Sequence, residues 1–485
     1  YLDINNVKVV VKADGNLFQM NDIPTSQYGP GFEVPKGGGK HTIYASGLWI
    51  GGLETGGALH TACQTYKQIG NDFIPGPVGV ASTGQNLNKV WKVNRAAIND
   101  FIANHAIPNY IIPQEIIDWP GNVGSTVYAP FVDVNNNGMY EPIAGDYPSI
   151  KGDQAIYFVF NDSTAHSESN GLPLLVEVHG MAYAFNNPNF PELNNTVFVE
   201  QRIKNKSAIS LNSTYVSMWN DFDLGNPNDD LQGTDVQKNM IFAYNADSVD
   251  EGPNGYGSNP PAMGVTFLNQ PLSNSIMYKN DFSFMGNPNT AQQFYNYMQS
   301  IYKDGTHLQY GSSGVNCNYV YPGSSDSAFA GQYWAQAATD LFDSRVIGSY
   351  GPFTFPAGSV IDLDVAYIFH RDTATSVSGL RNAAANVKYL YDSGVLGINS
   401  VSQNAVLSMQ VSPNPMVDKA SIAFNNSAHE NFTLKLMDAN GRIVYEQKNI
   451  VDNFVELKRN ELPQGLYLLM LQSGNKILSS KITLQ

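Results

Sequence analysis

The feature that most constrains the fold is a series of short apolar stretches that begins at residue 154. The stretches are QAIYFVFND, PLLVEVHGMAYAF, NTVFVEQRIKNKS and NSTYVSMWNDFD, and breaks of Asn, Pro and Gly separate them. Aromatic and β-branched residues favour strands, and short strands between regular turn signals are typical of a β-sandwich or barrel. We therefore expect a mainly β fold with a β-sandwich or jelly-roll-like body.

Other segments add strands and a few helices to this body. Residues 5–18 form a short β-branched run that ends at an Asp-Gly turn, and 41–53 and 359–371 have the character of buried strands. Apolar residues recur at helical spacing in 91–105, 289–305 and 375–394. Residues 113–120, PQEIIDWP, predict one short helical turn between prolines.

The composition indicates an extracellular protein rather than one that binds polyanions. Only 14% of the 485 residues are charged, against about 25% in average soluble domains. The formal net charge of −15 opposes binding to nucleic acid and to anionic lipid, which both require a basic face. No run of about 18 apolar residues is present, so we expect no membrane-spanning helix. The chain starts at Tyr1 without a signal-peptide pattern, which we interpret as a mature, processed form.

A change in charge marks the C-terminal part as a separate domain. Residues 398–410 are a polar stretch, and the 75 residues after it carry a net charge of +1, so the remainder carries −16. We expect an N-terminal β-rich region over 1–165, a β-sandwich body with two helices over 166–400, a linker over 401–410 and a C-terminal β-sandwich over 411–485.

The C-terminal part holds several short motifs in a fixed order. They are Pro413-Asn414-Pro415, Asp438 with Gly441-Arg442, Leu462 with Gly465 and Tyr467, and a final strand pair that includes Lys476 and Lys481. This order resembles the type A C-terminal sorting domain of the type IX secretion system. The resemblance implies an immunoglobulin-like sandwich, contact with the secretion machinery, and a location in the extracellular space or on the outer cell surface.

Alternating apolar residues predict the core of this sorting domain. The residues expected to fill it are Leu434, Leu436, Ile443, Val444, Leu466, Leu468, Met470 and Ile482.

The body resembles a group of secreted surface proteins without an assigned activity. The similar stretches are FEVPKGGGKHTIYASGLWIGG, DVNNNGMYEPIAGDYPSIKGDQAIYFVFND and WNDFDLGNPNDDLQGTD. This resemblance implies secretion and a β architecture, but it implies no reaction.

One stretch of the body, residues 131–142, has the pattern of a calcium loop. In FVDVNNNGMYEP, oxygen-bearing side chains alternate before Gly138, as at the start of many calcium loops. The predicted ligands are Asp133, Asn135, Asn137, Met139 through its carbonyl, Glu141 and Asp146. One of the last two must close the site, because the EF-hand position for the closing Glu is Ala144. The alternative is an Asn-rich turn whose side chains cap their own backbone.

A second acidic cluster is the other candidate metal site. It comprises Asp221, Asp223, Asp229 and Asp230. Asp221 and Asp223 lie two residues apart at the end of a strand, so their side chains should point the same way. Two close carboxylates require a cation or a raised pKa. The alternatives are a carboxylate pair for glycoside hydrolysis and a solvated acidic loop.

The remaining candidates are two cysteines, one glutamate–histidine pair and four modification sites. Cys63 and Cys317 are either two buried thiols or one long-range disulfide. Glu177 and His179 share one strand face, which predicts a polar contact between them. Four Asp-Ser or Asp-Thr motifs resemble the O-glycan acceptor pattern of bacteria that use this secretion route, and their acceptor residues are Ser163, Ser248, Ser327 and Thr373.

Together these features predict a secreted, calcium-stabilised structural or adhesive protein that is not an enzyme. The N-terminal strand around residues 7–11 is the predicted edge for self-assembly by strand addition. The alternatives are a secreted glycan-active enzyme built on Asp221 and Asp223, and a carbohydrate-binding protein that uses aromatic faces such as Trp219 or Tyr256.

Overall fold

The apolar stretches that begin at residue 154 form long antiparallel strands, as their pattern predicts. The structure is a computed structural model, and it describes residues 1–21, 28–66, 69–79, 87–123, 126–188, 190–311, 313–372, 376–392, 409–424, 430–438, 442–452, 454–473 and 476–484. The chain divides into two compact units, residues 1–389 and 390–485. No helix in these ranges is long and apolar enough to cross a membrane.

In its described residues, the first unit contains 24 strands, β1 to β24. Their bounds are β1 Lys8–Val9, β2 Gln19–Met20, β3 Gly29–Pro30, β4 Phe32–Glu33, β5 His41–Leu53, β6 Leu59–Cys63, β7 Ile74–Pro75, β8 Trp91–Asn94, β9 Asn122–Val123, β10 Thr126–Val127, β11 Phe131–Val132, β12 Tyr147–Pro148, β13 Gln154–Asn161, β14 Val176–Ala184, β15 Thr196–Asn205, β16 Leu211–Phe222, β17 Asp230–Asp235, β18 Met240–Asn245, β19 Val249–Asp250, β20 Gly257–Ser258, β21 Ala262–Phe267, β22 Asn274–Lys279, β23 Ser344–Phe355 and β24 Val360–His370.

The helices are few, as expected. They are α1 Arg95–Asn104, α2 Gln114–Ile117, α3 Ala291–Met298 and α4 Ser376–Asp392. Short 3-10 helices span Pro142–Ala144, Pro191–Asn195, Val236–Lys238 and Ser327–Phe329. The predicted helix over 91–105 is shorter than expected, because residues 91–94 form β8 and pair with β13.

Two large antiparallel sheets make up the body. A seven-stranded sheet has the order β1-β4-β5-β16-β23-β22, with β6 beside β5. A nine-stranded sheet has the order β17-β18-β21-β24-β15-β14-β13-β7, with β8 also on β13. Two-stranded ribbons join β2 with β3, β9 with β10, β11 with β12 and β19 with β20. The mainly β fold and the β-sandwich body are therefore confirmed.

The core lies between the inner faces of these two sheets. Trp49 of β5 and Trp219 of β16 stack with ring centroids 6.5 Å apart. Phe18 packs edge-on against Tyr367 of β24 at 4.7 Å. The Tyr367 hydroxyl lies 2.8 Å from Oγ of Ser46 on β5, so a buried hydrogen bond joins the two sheets. Burial of these large side chains stabilises the sandwich.

The predicted boundary at residue 165 does not separate two units. Strand β5 precedes this position and pairs with β16, which follows it, while β13 and β14 lie on either side of it within one sheet. A division there would cut both sheets and the shared core. Most of the predicted linker, 401–408, lies outside the described residues, and Met409 and Gln410 belong to the first strand of the C-terminal unit.

The N-terminal strand predicted to join a neighbouring subunit is already paired within the chain. Strand β1 pairs with β4, and Leu2 and Val9 exchange backbone hydrogen bonds of 3.0 and 2.9 Å on the other side. Val7, Val9 and Val11 are buried in the core. This segment is therefore part of the sandwich rather than a free arm.

The C-terminal unit is a small two-sheet sandwich. Its strands are β25 Met409–Ser412, β26 Lys419–Phe424, β27 Phe432–Met437, β28 Ile443–Ile450, β29 Phe454–Lys458, β30 Gly465–Ser473 and β31 Lys476–Leu484. One sheet has the order β25-β26-β29 and the other β28-β27-β30-β31. Leu434, Leu436 and Ile482 fill its core as predicted. In β30 the prediction is out of phase, because the buried residues are Tyr467, Leu469 and Leu471, and Leu466 is 53% exposed.

Candidate functional site

Three carboxylates meet where strands β16 and β23 lie side by side. Asp221 is near the end of β16, Asp223 follows this strand, and Asp343 directly precedes β23. One oxygen of each carboxylate lies within 4.8 Å of the others. In the part of the chain that the structure describes, they form the one group of three or more His, Cys, Asp or Glu side chains spaced to hold a metal ion. The sequence pattern predicts two of its members and misses Asp343.

A single guanidinium group lies against this acidic cluster. Nη2 of Arg345 is 3.4 Å from Oδ2 of Asp221, and Nη1 pairs with Oδ1 of Asp343. Nε of Arg345 donates a 2.8 Å hydrogen bond to the hydroxyl of Tyr66, which in turn donates to Oδ2 of Asp221. Nδ2 of Asn280 donates a 2.9 Å hydrogen bond to Oδ2 of Asp343. Strand pairing, rather than a local motif, therefore assembles the site.

Burial and mutual repulsion perturb the charges of the cluster. Burial raises the pKa of Asp221 to about 6, although Arg345 and the Tyr66 hydrogen bond oppose the shift. Burial and then the charge of Asp221 raise the pKa of Asp223 well above its ordinary value. Burial alone would lower the pKa of Arg345, but Asp221, Tyr66 and Asp343 raise it above the ordinary value. Among the residues that the structure describes, these carboxylates therefore have fewer positive partners than negative charges.

The structure does not bring Asp229 and Asp230 into this cluster. Residue 230 begins β17 of the nine-stranded sheet, whereas β16 belongs to the seven-stranded sheet, so the chain crosses between sheets after Asp223. Asp229 accepts a 3.0 Å hydrogen bond from Nδ2 of Asn226. Oδ2 of Asp230 accepts a 2.9 Å hydrogen bond from the backbone of Leu224. The four residues predicted as one site thus lie in two places.

The predicted calcium loop is an exposed turn that begins after β11. Oδ2 of Asp133 accepts a 2.7 Å hydrogen bond from the amide of Gly138, and Oδ1 of Asn135 accepts one of 3.0 Å from the amide of Asn137. Oε2 of Glu141 lies 2.5 Å from Nδ2 of Asn137. These hydrogen bonds are the ones expected of the alternative, an Asn-rich turn whose side chains cap its own backbone. The same carboxylate and amide oxygens are also a donor set that suits calcium.

Asp146 stabilises this loop through hydrogen bonds to its backbone. It is buried, and its two oxygens accept 2.8 Å hydrogen bonds from the amides of Val134 and Glu141. Because these amides occupy Asp146, the exposed Glu141 is the better placed of the two predicted closing ligands.

Glu177 and His179 make the polar contact that their positions on β14 predict. Nε2 of His179 lies 2.8 Å from Oε1 of Glu177 and 2.9 Å from Nζ of Lys204. Nδ1 of His179 lies 2.6 Å from the hydroxyl of Tyr157. All four side chains are partly or fully buried, so this network supports the packing of the outer face of the sheet.

A cavity of about 510 Å³ lies between the edge of the nine-stranded sheet and α4. Its aromatic lining includes Phe242 and Tyr244 from β18 and the loop residues Tyr321 and Tyr333, and Arg381 of α4 contributes a cation. Tyr333 is 76% exposed. By contrast, Trp219 and Tyr256, the aromatic residues predicted to contact sugars, are 0% and 8% exposed. Their rings belong to the core, so that prediction is wrong.

The cysteines and modification sites complete the set of predicted residues. Cys63 and Cys317 are both buried free thiols, and burial raises the pKa of both, to about 12 for Cys317. Ser163, Ser248 and Ser327 are exposed, so a modifying enzyme can reach them. Thr373 lies outside the described residues.

Comparison with known proteins identifies the C-terminal unit. Residues 410–485 match the family described as secretion system C-terminal sorting domain. No curated protein matches the chain.

Two solved structures show only a weak likeness. A polysaccharide lyase is 9% identical with a TM-score of 0.21, and the match covers 64% of this chain and 34% of the lyase. Dimeric latent PorU from Porphyromonas gingivalis is 11% identical with a TM-score of 0.14, and the match covers 63% of this chain and 26% of PorU. The matches thus span about a third and a quarter of those proteins, and their TM-scores are too low to show a shared fold. The sorting domain identifies the chain as a protein that the type IX secretion system exports to the extracellular space or the cell surface.

Proposed function

We propose that this exported protein is a calcium-stabilised structural or adhesive component of the cell surface. The observation that carries the proposal is the exposed loop at 133–141, whose carboxylate and amide oxygens lie together on a chain with a sorting domain. Calcium affinities of about 10⁻⁴–10⁻³ M suffice for extracellular modules, so an incomplete loop of this kind can be occupied outside the cell.

The effect of calcium on the melting temperature tests whether the loop binds this ion. We expect added calcium to raise the melting temperature and a chelator to lower it, since an ion that binds only the folded state stabilises that state. Asp133→Asn removes a carboxylate from the loop and should reduce the shift, whereas Asp118→Asn, at an exposed site outside the loop, should leave it unchanged. An equal shift in both variants and the parent chain would reject the loop as a site.

Labelling of native cells tests the structural role. Electron microscopy with an antibody to this chain should show regular fibres or sheets on the surface or in the medium. Diffuse labelling without such order would contradict a role in assembly.

We propose a non-catalytic role for the acidic cluster. Asp221 is 1% exposed, and Tyr66 and Arg345 engage its Oδ2 oxygen, so this carboxylate does not face an incoming substrate. A screen of polysaccharides should therefore find no turnover. Turnover that disappears in Asp221→Asn and Asp223→Asn would instead support a glycan-active enzyme.

The aromatic cavity favours carbohydrate binding as a second candidate function. A volume of about 510 Å³ lies within the ordinary range of ligand pockets, about 300–1,000 Å³. Tyr333 presents one exposed aromatic ring beside polar groups, which suits ligands with apolar and hydroxyl-bearing faces. Binding on a glycan array without turnover would support this function. The binding should be lost in Tyr333→Ala and retained in Phe282→Ala. Phe282 is a suitable control because it is 90% exposed and does not line the cavity.

A further inference from the structure

Within the part of the chain that the structure describes, the acidic cluster has more negative charge than its protein partners neutralise. When ionised, Asp221, Asp223 and Asp343 contribute three negative charges, and Arg345 contributes one positive charge. Asp221 is buried, whereas Asp223 and Asp343 are partly exposed. Burying an uncompensated carboxylate such as Asp221 is costly, so such groups are paired, protonated or bound to a metal ion.

One oxygen of the cluster has no partner of its own among the described residues. Oδ2 of Asp221 contacts both Arg345 and Tyr66, whereas Oδ1 of Asp221 is buried and makes no hydrogen bond. Asp221 as a whole is 1% exposed, so water does not reach this oxygen freely. The neighbouring carboxylates of Asp223 and Asp343 offer only acceptor oxygens when ionised. The partner that Oδ1 lacks among the described residues is therefore a cation, a proton or a buried water molecule.

The spacing of the oxygens fits a metal ion of definite size. Calcium binds oxygen at about 2.3–2.6 Å, so two ligands on opposite sides of the ion lie about 4.6–5.2 Å apart. The three carboxylates offer oxygens that already lie within 4.8 Å of one another. Oxygen-only donors favour calcium or magnesium over zinc, and magnesium is usually held by one or two carboxylates rather than three.

We propose that Asp221, Asp223 and Asp343 bind one calcium ion. With Arg345, the divalent ion balances the three carboxylates, and it supplies a partner for Oδ1 of Asp221. This site deepens the proposed calcium-stabilised function but does not depend on the loop at 133–141. It is assembled from β16 and β23, which are neighbours in the seven-stranded sheet, so the ion would fasten the ends of two long strands together.

Calcium titration of the full chain tests this site directly. The parent chain and Asp223→Asn are compared by calorimetry and by equilibrium dialysis with calcium alone. We expect Asp223→Asn to lose one bound calcium per chain, or to bind it roughly tenfold or more weakly, because the variant removes one ligand charge. Asp343→Asn should have the same effect.

Two matched variants separate this site from other acidic groups and from the loop. Asp229→Asn changes a nearby carboxylate outside the cluster and should retain the full calcium stoichiometry. Asp133→Asn should weaken calcium binding at the loop only. Adding Asp223→Asn to that variant should remove the remaining strong calcium binding. Failure of the loop proposal alone would leave the effect of Asp223→Asn intact.

A spectroscopic measurement keeps the test valid if a variant is less stable. Tb³⁺ bound at the cluster should give luminescence excited through Tyr66 and Trp219, because Tyr66 contacts both Asp221 and the Trp219 ring. Calcium should displace Tb³⁺, and Asp223→Asn should lose this signal while circular dichroism still shows a folded chain. Unchanged stoichiometry and unchanged luminescence in folded Asp223→Asn would overturn the proposal.

Discussion

Loss of Arg345 should strongly destabilise the body. It is buried and ion-pairs with Asp221 and Asp343. Arg345→Met should lower the free energy of unfolding by about 3–5 kcal/mol, because it leaves the buried carboxylate of Asp221 uncompensated. Urea unfolding measures this change. Arg202→Met is a suitable control, because Arg202 and its partner Asp362 are 55% and 42% exposed and the loss should stay within about 1 kcal/mol.

The raised pKa of Asp221 gives a second prediction at this scale. In calcium-free protein the pKa of this carboxyl is about 6 when folded, against an ordinary value of 3.8. Between these values the folded chain binds more protons than the unfolded chain, so the free energy of unfolding should rise as the pH falls through this window. Asp162 acts in the same direction, because burial raises its pKa to about 6.

Denaturant unfolding over a pH series measures this dependence. Asp221→Asn should reduce the slope without abolishing it, since Asp162 remains. Saturating calcium should oppose the trend, because the ion binds ionised carboxylates. Stability that rises with pH through the same window in calcium-free protein would contradict the raised pKa.

At the scale of elements, the N-terminal segment should matter for folding rather than for assembly. Deletion of residues 1–12 removes Leu2, Val7, Val9 and Val11, which are all buried. Full burial of an aliphatic side chain contributes about 1.5–3 kcal/mol, so the loss should amount to several kcal/mol. Circular dichroism and thermal melting should show a largely unfolded or strongly destabilised chain. A folded variant that fails to assemble would restore the strand-addition hypothesis.

The strands and helices were predictable wherever local pattern and tertiary context agree. The stretch 359–371 is β24 almost to the residue, and PQEIIDWP contains the single turn of α2. Residues 91–94 have helical spacing but pair with Gln154–Tyr157, because a sheet edge offers them more hydrogen bonds and burial. In β30 the prediction is shifted by one residue, so it assigns the buried face to residues of the opposite face. The reason is that side chains alternate along a strand with a period of two.

The acidic cluster was only half predictable for the same physical reason. Asp221 and Asp223 are near neighbours in sequence, so strand geometry places their side chains together. Arg345 lies 124 residues from Asp221 and reaches it only through the pairing of β16 with β23. No short-range pattern encodes that register, so Asp343 and Arg345 could not be found from the sequence.

At the scale of the whole molecule, the two units have separate cores. One apolar cluster fills the sandwich of residues 1–389, and another lies within the C-terminal unit. Removal of residues 410–485 should therefore leave the melting temperature of the body nearly unchanged but abolish export. Cell fractionation and thermal melting check the two outcomes, with the full chain as the control. Export of the truncated chain would contradict the role of the sorting domain.

The position of β24 has a mechanical consequence. It is the last strand of the body before the chain continues through α4 to the sorting domain, and it lies inside the nine-stranded sheet between β15 and β21. Where the sorting domain anchors the chain, tension from a load on the body enters through this strand. Peeling an edge strand breaks one row of hydrogen bonds, but extracting β24 must shear two rows at once. A chain anchored in this way would be connected to the anchor through a strand that is hard to pull out.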